Sequence, residues 1–413
     1  MTPLVHAEQA VLGAVFLAPG QLDRLSPWLR PEHFSRPAHT AIYAAMLKLR
    51  ADEHPASNEQ GAGPVPMSWM TDTVAEASKH TRGLTASYAH SLVSACPRPE
   101  HAVVYGRMVL EGAIHRSVAQ HATRLRQAAR ADAIRGGTEE TVHHAEVLSD
   151  VLADLARRWG GEPRPVAPPA SAPSPAAHPQ PVDEKLLADE EFLLGCLSAR
   201  PQKLDEVVGW LHPGDFADGG HQQIYRSLGA LHHRGEPIDQ LTVLWETQRR
   251  GALANRTLDA GRVLRICDPS AFAGSAEYVG EQVVRASLVR TATASARQVR
   301  ALADDESLAP GRLIGYALHA LGPLEEVRQR WRIATGTEPE PHRAAGQPAA
   351  DPPAARIEAA RSRSRPHLTD SARATAPTPA SVPLSHAVPT GGVRHDQSHW
   401  ARSPGTERAA RPC

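Results

Sequence analysis

Over residues 7–17 apolar side chains return every three or four positions, with Ala7, Ala10, Val11, Ala14 and Val15 on one stripe, a spacing that predicts a helix. Pro19 ends it, because proline cannot donate into a helix. A short helix over 20–29 leads to Trp28-Leu29 and then Phe34. From Ala38 to Leu49 the spacing of Ile42, Met46 and Leu49 is again helical, with Tyr43 beside Ile42. Ser68 stands before a further polar-apolar helix that closes near Gly83. An oxygen side chain accepts from the free amides at a helix start, and glycine takes the left-handed turn at its end. Residues 102–130 run without proline, with Val103, Met108, Ile114, Val118 and Leu125 available for an apolar face. Gly136-Gly137 breaks this run, and Thr138-Glu139-Glu140 reads as the acidic start of a second helix reaching Trp159. No strand period has comparable strength, so the predicted fold class is all-α.

The pattern is then written again. Sliding residues 7–55 by 182 positions, Glu8 onto Glu190, aligns 49 residues without a gap, and fifteen pairs are identical. Trp28 falls on Trp210, His39 on His221, and Ile42-Tyr43 on Ile224-Tyr225. Phe192, Leu193, Cys196 and Leu197 repeat the first stripe, Pro201 ends it, and Asp239 and Gly251 bracket the later head helix. Past Pro55 copy one carries extra residues, and matching Pro66 to Pro237 and Cys96 to Cys267 gives an expected insertion of 11 residues. A second hairpin is expected over roughly 276–303 and from Leu313 to about Ala334. One module used twice is therefore the predicted architecture. Module one covers 1–160 (head about 4–100, hairpin about 101–160) and module two covers 188–336 (head about 188–275, hairpin about 276–336). Each head is expected to hold about five short helices. A Pro/Ala-rich linker at 161–187 joins the modules, and residues 337–413, rich in Pro, Ala, Ser and Arg, are expected to be a disordered tail. An antiparallel hairpin leaves more apolar face than its own partner covers, so the surplus is a docking surface.

Charge and candidate chemistry narrow the function. The 45 basic and 45 acidic residues cancel, so no global field points to nucleic acid or an anionic membrane. The four cysteines (96, 196, 267 and 413) have no metal-ligand spacing, which suits a reduced cytoplasmic protein. The run at 10–18 resembles a signal-peptide core, but Glu8 precedes it and it recurs in mid-chain, so it reads as an amphipathic helix. No membrane role is expected. His39 and His221 read as hydrogen-bonded core or cap residues, and Trp28/Trp210 and Tyr43/Tyr225 as core packing rather than base-stacking platforms. His143-His144 and His232-His233 are sequence neighbours that cannot grip one ion together. Glu190-Glu191 and Glu325-Glu326 likewise read as a helix start and a solvated face. Arg361, Arg363 and Arg365 form a small basic cluster in the tail. No catalytic, cofactor-binding or metal-binding residue emerges.

With these residues in place, both copies resemble the N-terminal domain of DnaB-type replicative DNA helicases. Copy one carries Arg36-Pro37-x-His39-x-x-Ile42-Tyr43, similar to the family pattern. Copy two keeps His221-x-x-Ile224-Tyr225, with Asp218-Gly219-Gly220 in place of Arg-Pro, and retains Pro237-Ile238-Asp239-x-x-Thr242-Val243 and Arg249-Arg250-Gly251. Pro269-Ser270-Ala271 and Glu277-Tyr278 also resemble the family's segment before its hairpin. The resemblance implies a non-catalytic head and hairpin that dimerises through hairpins and engages primase and the loading machinery. The family's motor is a separate RecA-like domain, and no G-x-x-x-x-G-K-[ST] phosphate loop occurs in this sequence. The expectation is an adaptor without ATPase activity, whose two hairpins pair within one polypeptide. Self-association and docking on a replicative helicase, primase or helicase loader are the expected partnerships. A nucleic-acid-binding replication accessory and a helicase remnant served by a separately encoded motor are the alternatives.

Overall fold

The computed structural model describes residues 2–58, 67–159, 162–169, 183–254, 258–268 and 274–337, which fall within one compact unit, Met1–His342. The extra residues 59–66, most of the linker, the Pro269-Ser270-Ala271 segment and the tail beyond 337 lie outside the described residues. Among the described residues there are fourteen α-helices and no strand.

Copy one contributes five head helices: α1 (Pro3–Leu17), α2 (Leu22–Leu25), α3 (Pro37–Ala51), α4 (Met67–Ser78) and α5 (Ala86–Ser94). Two long helices follow, α6 (Ala102–Arg135) and α7 (Glu139–Arg158). Copy two repeats the order with α8 (Glu184–Ala199), α9 (Leu204–Val207), α10 (Gly219–His233), α11 (Gln240–Arg249) and α12 (Ala260–Ile266). Its long pair is α13 (Ala276–Asp304) and α14 (Pro310–Ala334). The turn between α6 and α7 is fixed in two ways. Gly136 adopts φ +80, the left-handed conformation that costs glycine least, and the buried Asp132 carboxylate accepts from both the amide and the hydroxyl of Thr141 in the first turn of α7.

The structure departs from several of these expectations. Helix α1 starts at Pro3, and every residue from Ala7 to Phe16 is buried, not one stripe, because α3, α5 and α6 cover it from different sides. The stretch 20–29 holds a 3-10 turn at Pro19–Gln21 and only one turn of α-helix. Ser68 lies inside α4 and does not cap it, whereas Asp239 caps α11 as expected, accepting from the amides of Leu241 and Thr242. On α6 Met108 points to solvent, 46% exposed, and Val109 takes the buried place. The copies also rejoin differently. Thr85 and Asp259 cap α5 and α12, Trp69 and Val243 are buried alike, as are Thr73 and Thr247, and Gly106 and Gly280 both meet a tryptophan. These pairs lie 174 residues apart, so copy one gains eight residues rather than 11, and Cys96 and Cys267 are not equivalent. Burial fixes that register, and chance prolines and cysteines had suggested the other.

Each head is locked to its hairpin by the same joint. The Trp28 ring lies against Gly106 of α6, and the Trp210 ring against Gly280 of α13, where an added Cβ would come within 2.8 Å and 2.7 Å of ring carbons. Arg116 of α6 donates to the His33 carbonyl at 2.6 Å, and Arg290 of α13 donates to the Asp215 carbonyl at 2.6 Å. The apolar contact sets the distance and the charged donor sets the rotation.

The two hairpins pack on each other. Helices α6 and α13 run antiparallel, because His115 reaches Ala303 while Arg285, far back along α13, donates to the carbonyl of Gly136 at the other end of α6. Between them Arg300 donates to Thr123 at 3.2 Å. Ala119, Ala122 and Ala129 on α6 and Ala292, Ala296 and Ala303 on α13 are buried, and side chains this small let the axes come close. At the far side of the bundle Glu146 of α7 receives Arg328 (3.5 Å) and Arg332 (3.1 Å) from α14. One apolar core therefore runs from Ile114 through both hairpins into head two, while head one keeps a core of its own.

A methyl group at Gly280 has to displace the Trp210 ring. Gly280→Ala is expected to lower stability by about 1–3 kcal/mol, seen as a lower Tm with a shift in tryptophan emission. Gly229→Ala, on α10 with open space around it, is expected to hold or raise the Tm.

Candidate interaction surface

The histidine shared by the two copies is the centre of a buried polar cluster. Glu8 of α1 is fully buried, and its carboxylate accepts from His39 Nδ1 (2.6 Å) and from the Ser35 amide (2.6 Å). His39 Nε2 lies 2.7 Å from the Tyr88 hydroxyl on α5. In copy two Glu190 accepts from His221 Nδ1 (2.7 Å) and the Ala217 amide (2.6 Å), and Arg262 of α12 stands at 2.7 Å from His221 Nε2. The Glu191 carboxylate also faces this Nε2, at 3.4 Å. The cluster ties three head helices together and reserves both ring nitrogens. The core reading of His39 and His221 holds.

The reading of Glu190 does not. Glu190 is buried on the histidine, 31 residues from it in sequence, as Glu8 is from His39. Glu191 is held by Arg262 at 3.3 Å. The duplication pairs Glu8 with Glu190 and His39 with His221, but nothing local to either glutamate marks the histidine as its partner. Burial alone would raise the Glu8 pKa, but the bonds from His39 and the Ser35 amide outweigh it and hold the carboxyl below the ordinary range. Asp218, which stands where copy one has Arg36, is also held low: burial is outweighed by the His221 amide and by Arg262.

The aromatic residues pack as expected. Tyr43 and Tyr225 are buried, donate to the Leu29 and Leu211 carbonyls at 3.4 Å and 3.1 Å, and sit 5.0 Å and 5.1 Å from the Phe34 and Phe216 rings. The Trp28 and Trp210 indoles donate to the Arg24 and Glu206 carbonyls. Among the paired histidines, His232 meets Asp205 at 2.8 Å and His144 approaches Glu140 at 3.9 Å. Glu325 pairs with Arg328 at the surface. Cys96 and Cys267 are free thiols that burial pushes up to about 11. The Arg361, Arg363 and Arg365 cluster lies outside the described residues. Among the described residues no group of three ligand-type side chains could hold a metal ion, and no helix is long and apolar enough to cross a membrane.

Two regions bear on association. The seam between hairpins is one, already filled from within the chain. Its signature is His115, whose two ring nitrogens face the Ala303 carbonyl (2.9 Å) and the Leu308 carbonyl (3.0 Å) across the copies. The other is the outer skin of the heads. A groove of about 550 Å³ between α3 and α4 is floored by Pro37, Ala41, Ala44 and Ala45. Lys48 and Glu76 line it too; Glu76 pairs with Lys48 and with Lys79 at 2.7 Å each, and the two ammonium groups pull its carboxyl down to about 2.

This geometry defines a duplicated all-α protein in which two head-and-hairpin units close on each other. The family described as the DnaB-like helicase N terminal domain matches residues 2–111 and 182–300, more than half of the chain and one segment in each copy. The chain belongs to that family. It is 36% identical over 123 residues to the replicative DNA helicase DnaB of Geobacillus stearothermophilus, covering 30% of this chain and 25% of that protein. To the replicative DNA helicase DnaC of Bacillus subtilis (strain 168) it is 32% identical over 123 residues, with the same coverage of 30% and 25%. To the replicative DNA helicase DnaB of Mycobacterium leprae (strain TN) it is 32% identical over 140 residues, covering 34% and 22%. The chain thus spans about a quarter of the length of these relatives.

The depressed Glu8 gives a pH dependence of known sign. A carboxyl whose folded value lies below its unfolded value of about 4.3 adds its full stability above that pH, and loses it as pH falls through the folded value. Glu8→Gln is expected to lower stability at neutral pH by about 3 kcal/mol and to flatten the acid limb. Urea titrations across that range, giving the same pH profile for both proteins, would refute the assignment.

Proposed function

We propose that this chain is a non-catalytic adaptor of DNA replication in the cytoplasm. Its modules, 1–160 and 188–336, would be joined by the linker 161–187 and followed by the tail 337–413. The observation that carries the reading is the antiparallel α6/α13 seam, with His115 set between the Ala303 and Leu308 carbonyls. The resemblance implies hairpin pairing between helicase subunits, and here one polypeptide supplies both halves. A linker this short keeps the second hairpin at an effective concentration of roughly millimolar, so the pair stays closed without help from a partner. The outer faces of the heads then remain free to present helicase-like surfaces to a replicative helicase, a primase or a helicase loader. No step of the proposal uses a nucleotide, a metal or a catalytic side chain.

The test is direct. The full chain is titrated onto the purified replicative helicase, primase and loader of the same cell, with binding read by interferometry and ATP turnover read in parallel. Saturable binding to one of them, with no turnover by this chain alone, is the expected result. Binding to none of the three sinks the proposal, and so does unaided ATP hydrolysis.

A further inference from the structure

We infer that the outward face of α11 is a self-complementary contact through which two copies of this chain pair. Leu241, Trp245 and Arg249 are spaced four residues apart, so they form one row along the helix. That row faces solvent: Leu241 is 71% exposed, Trp245 64%, and the Arg249 side chain 62%. A tryptophan and an arginine on one open helix face are the residue types that dominate interface centres, and Leu241 extends the apolar part of the row.

Charge along the row decides the occupant. At its N-terminal end stands the Asp239 carboxylate, which caps the helix by accepting from the Leu241 and Thr242 amides. At its C-terminal end Arg234, Arg249 and Arg250 gather on Glu246 at 3.0, 3.7 and 2.9 Å, and Arg234 also holds Glu236 at 2.8 Å. Three guanidiniums face two carboxylates there, which leaves a positive excess. A helix with an anionic end, an apolar centre and a cationic end complements itself when a second copy lies antiparallel across Trp245. The two indoles meet at the centre, each Leu241 flanks them, and Arg249 and Arg250 of each copy reach the Asp239 cap of the other. The antiparallel arrangement also places each helix's positive dipole end beside the other's negative one. A nucleic acid would match the tryptophan and arginines but be repelled by the aspartate. Copy one has Met67, Thr71 and Ala75 at these places, with neither the aromatic nor the charge. The contact is therefore made by copy two alone and closes as a two-fold pair.

One ten-residue helix covers less surface than a tight interface does, so the dissociation constant is expected on the order of 100 µM. Sedimentation velocity of the full chain from about 5 to about 300 µM tests this. The expected result is a reversible shift from the 44.4 kDa monomer toward a dimer, weakened by added salt. Trp245→Ala and Arg249→Glu should each weaken the dimer about tenfold or more, with unchanged circular dichroism because both side chains are exposed. Asp239→Asn keeps a competent helix cap and removes the charge, so it should weaken the dimer severalfold. A chain that stays monomeric throughout overturns the inference, as does a dimer indifferent to both Trp245→Ala and Arg249→Glu. Loss of helicase or nucleic-acid binding in Trp245→Ala, without self-association of the parent, also overturns it and assigns the row to that partner. The pure chain is measured alone, so a negative outcome leaves the adaptor proposal standing.

Discussion

The rest of the structure depends on covering the apolar face of α6. A helix of 34 residues with a continuous apolar side cannot leave that side in water, and α7 shields only part of it. Helix α13 shields the remainder, and the reverse holds equally, because the two meet antiparallel with alanines at the crossing. Sequence repeats and packing units consequently do not coincide. Hairpin one shares its core with copy two, whereas head one, reached through the Trp28–Gly106 joint, keeps a separate core.

Duplication has preserved the parts that set internal geometry. The Trp–Gly joint, the arginine reaching the last carbonyl of a 3-10 turn (Pro31–His33 in copy one, Pro213–Asp215 in copy two), the Glu–His pair and the tyrosine hydroxyl bonded across the head occur in both copies with nearly the same distances. Each fixes the angle between two helices, so loss of one would disturb every contact beyond it. The outer partners have diverged. The second histidine nitrogen meets Tyr88 in one copy and Arg262 in the other. His33 in copy one corresponds to Asp215, whose buried carboxylate gathers Ser287 and Arg330 and so fastens α13 and α14 to head two. At the corresponding positions α4 carries Met67, Thr71 and Ala75, whereas α11 carries Leu241, Trp245 and Arg249. A pair of identical modules would offer two equal faces; this divergence gives the two ends of the molecule different chemistry.

The buried acidic groups of the described residues serve as brackets between helices. Glu8, Glu190, Asp132 and Asp215 are all buried, and each is occupied by donors that orient helices. In a helical protein a buried carboxylate with two or three donors is a bracket between elements. The reactive appearance of a histidine between a glutamate and a tyrosine is thereby a consequence of packing three short helices around one polar point.

Much of the fold was legible in the residues alone. The spacing of Ile42, Met46 and Leu49, the prolines at 19 and 201, the Gly136 break and the Asp239 cap act within a turn or two of chain, and local geometry reads them directly. The duplication was legible because fifteen identities at one register have no other source. Partners 31 residues apart, such as Glu8 and His39, left no local trace, and so Glu190 read as part of an acidic helix start. The register past the insertion was misread for the same reason: a proline or a cysteine carries no record of what buries it. Periodicity determines which side of a helix is apolar. Only the tertiary structure decides what covers that side, because the covering surface arrives from a distant part of the chain, and here it is the other copy.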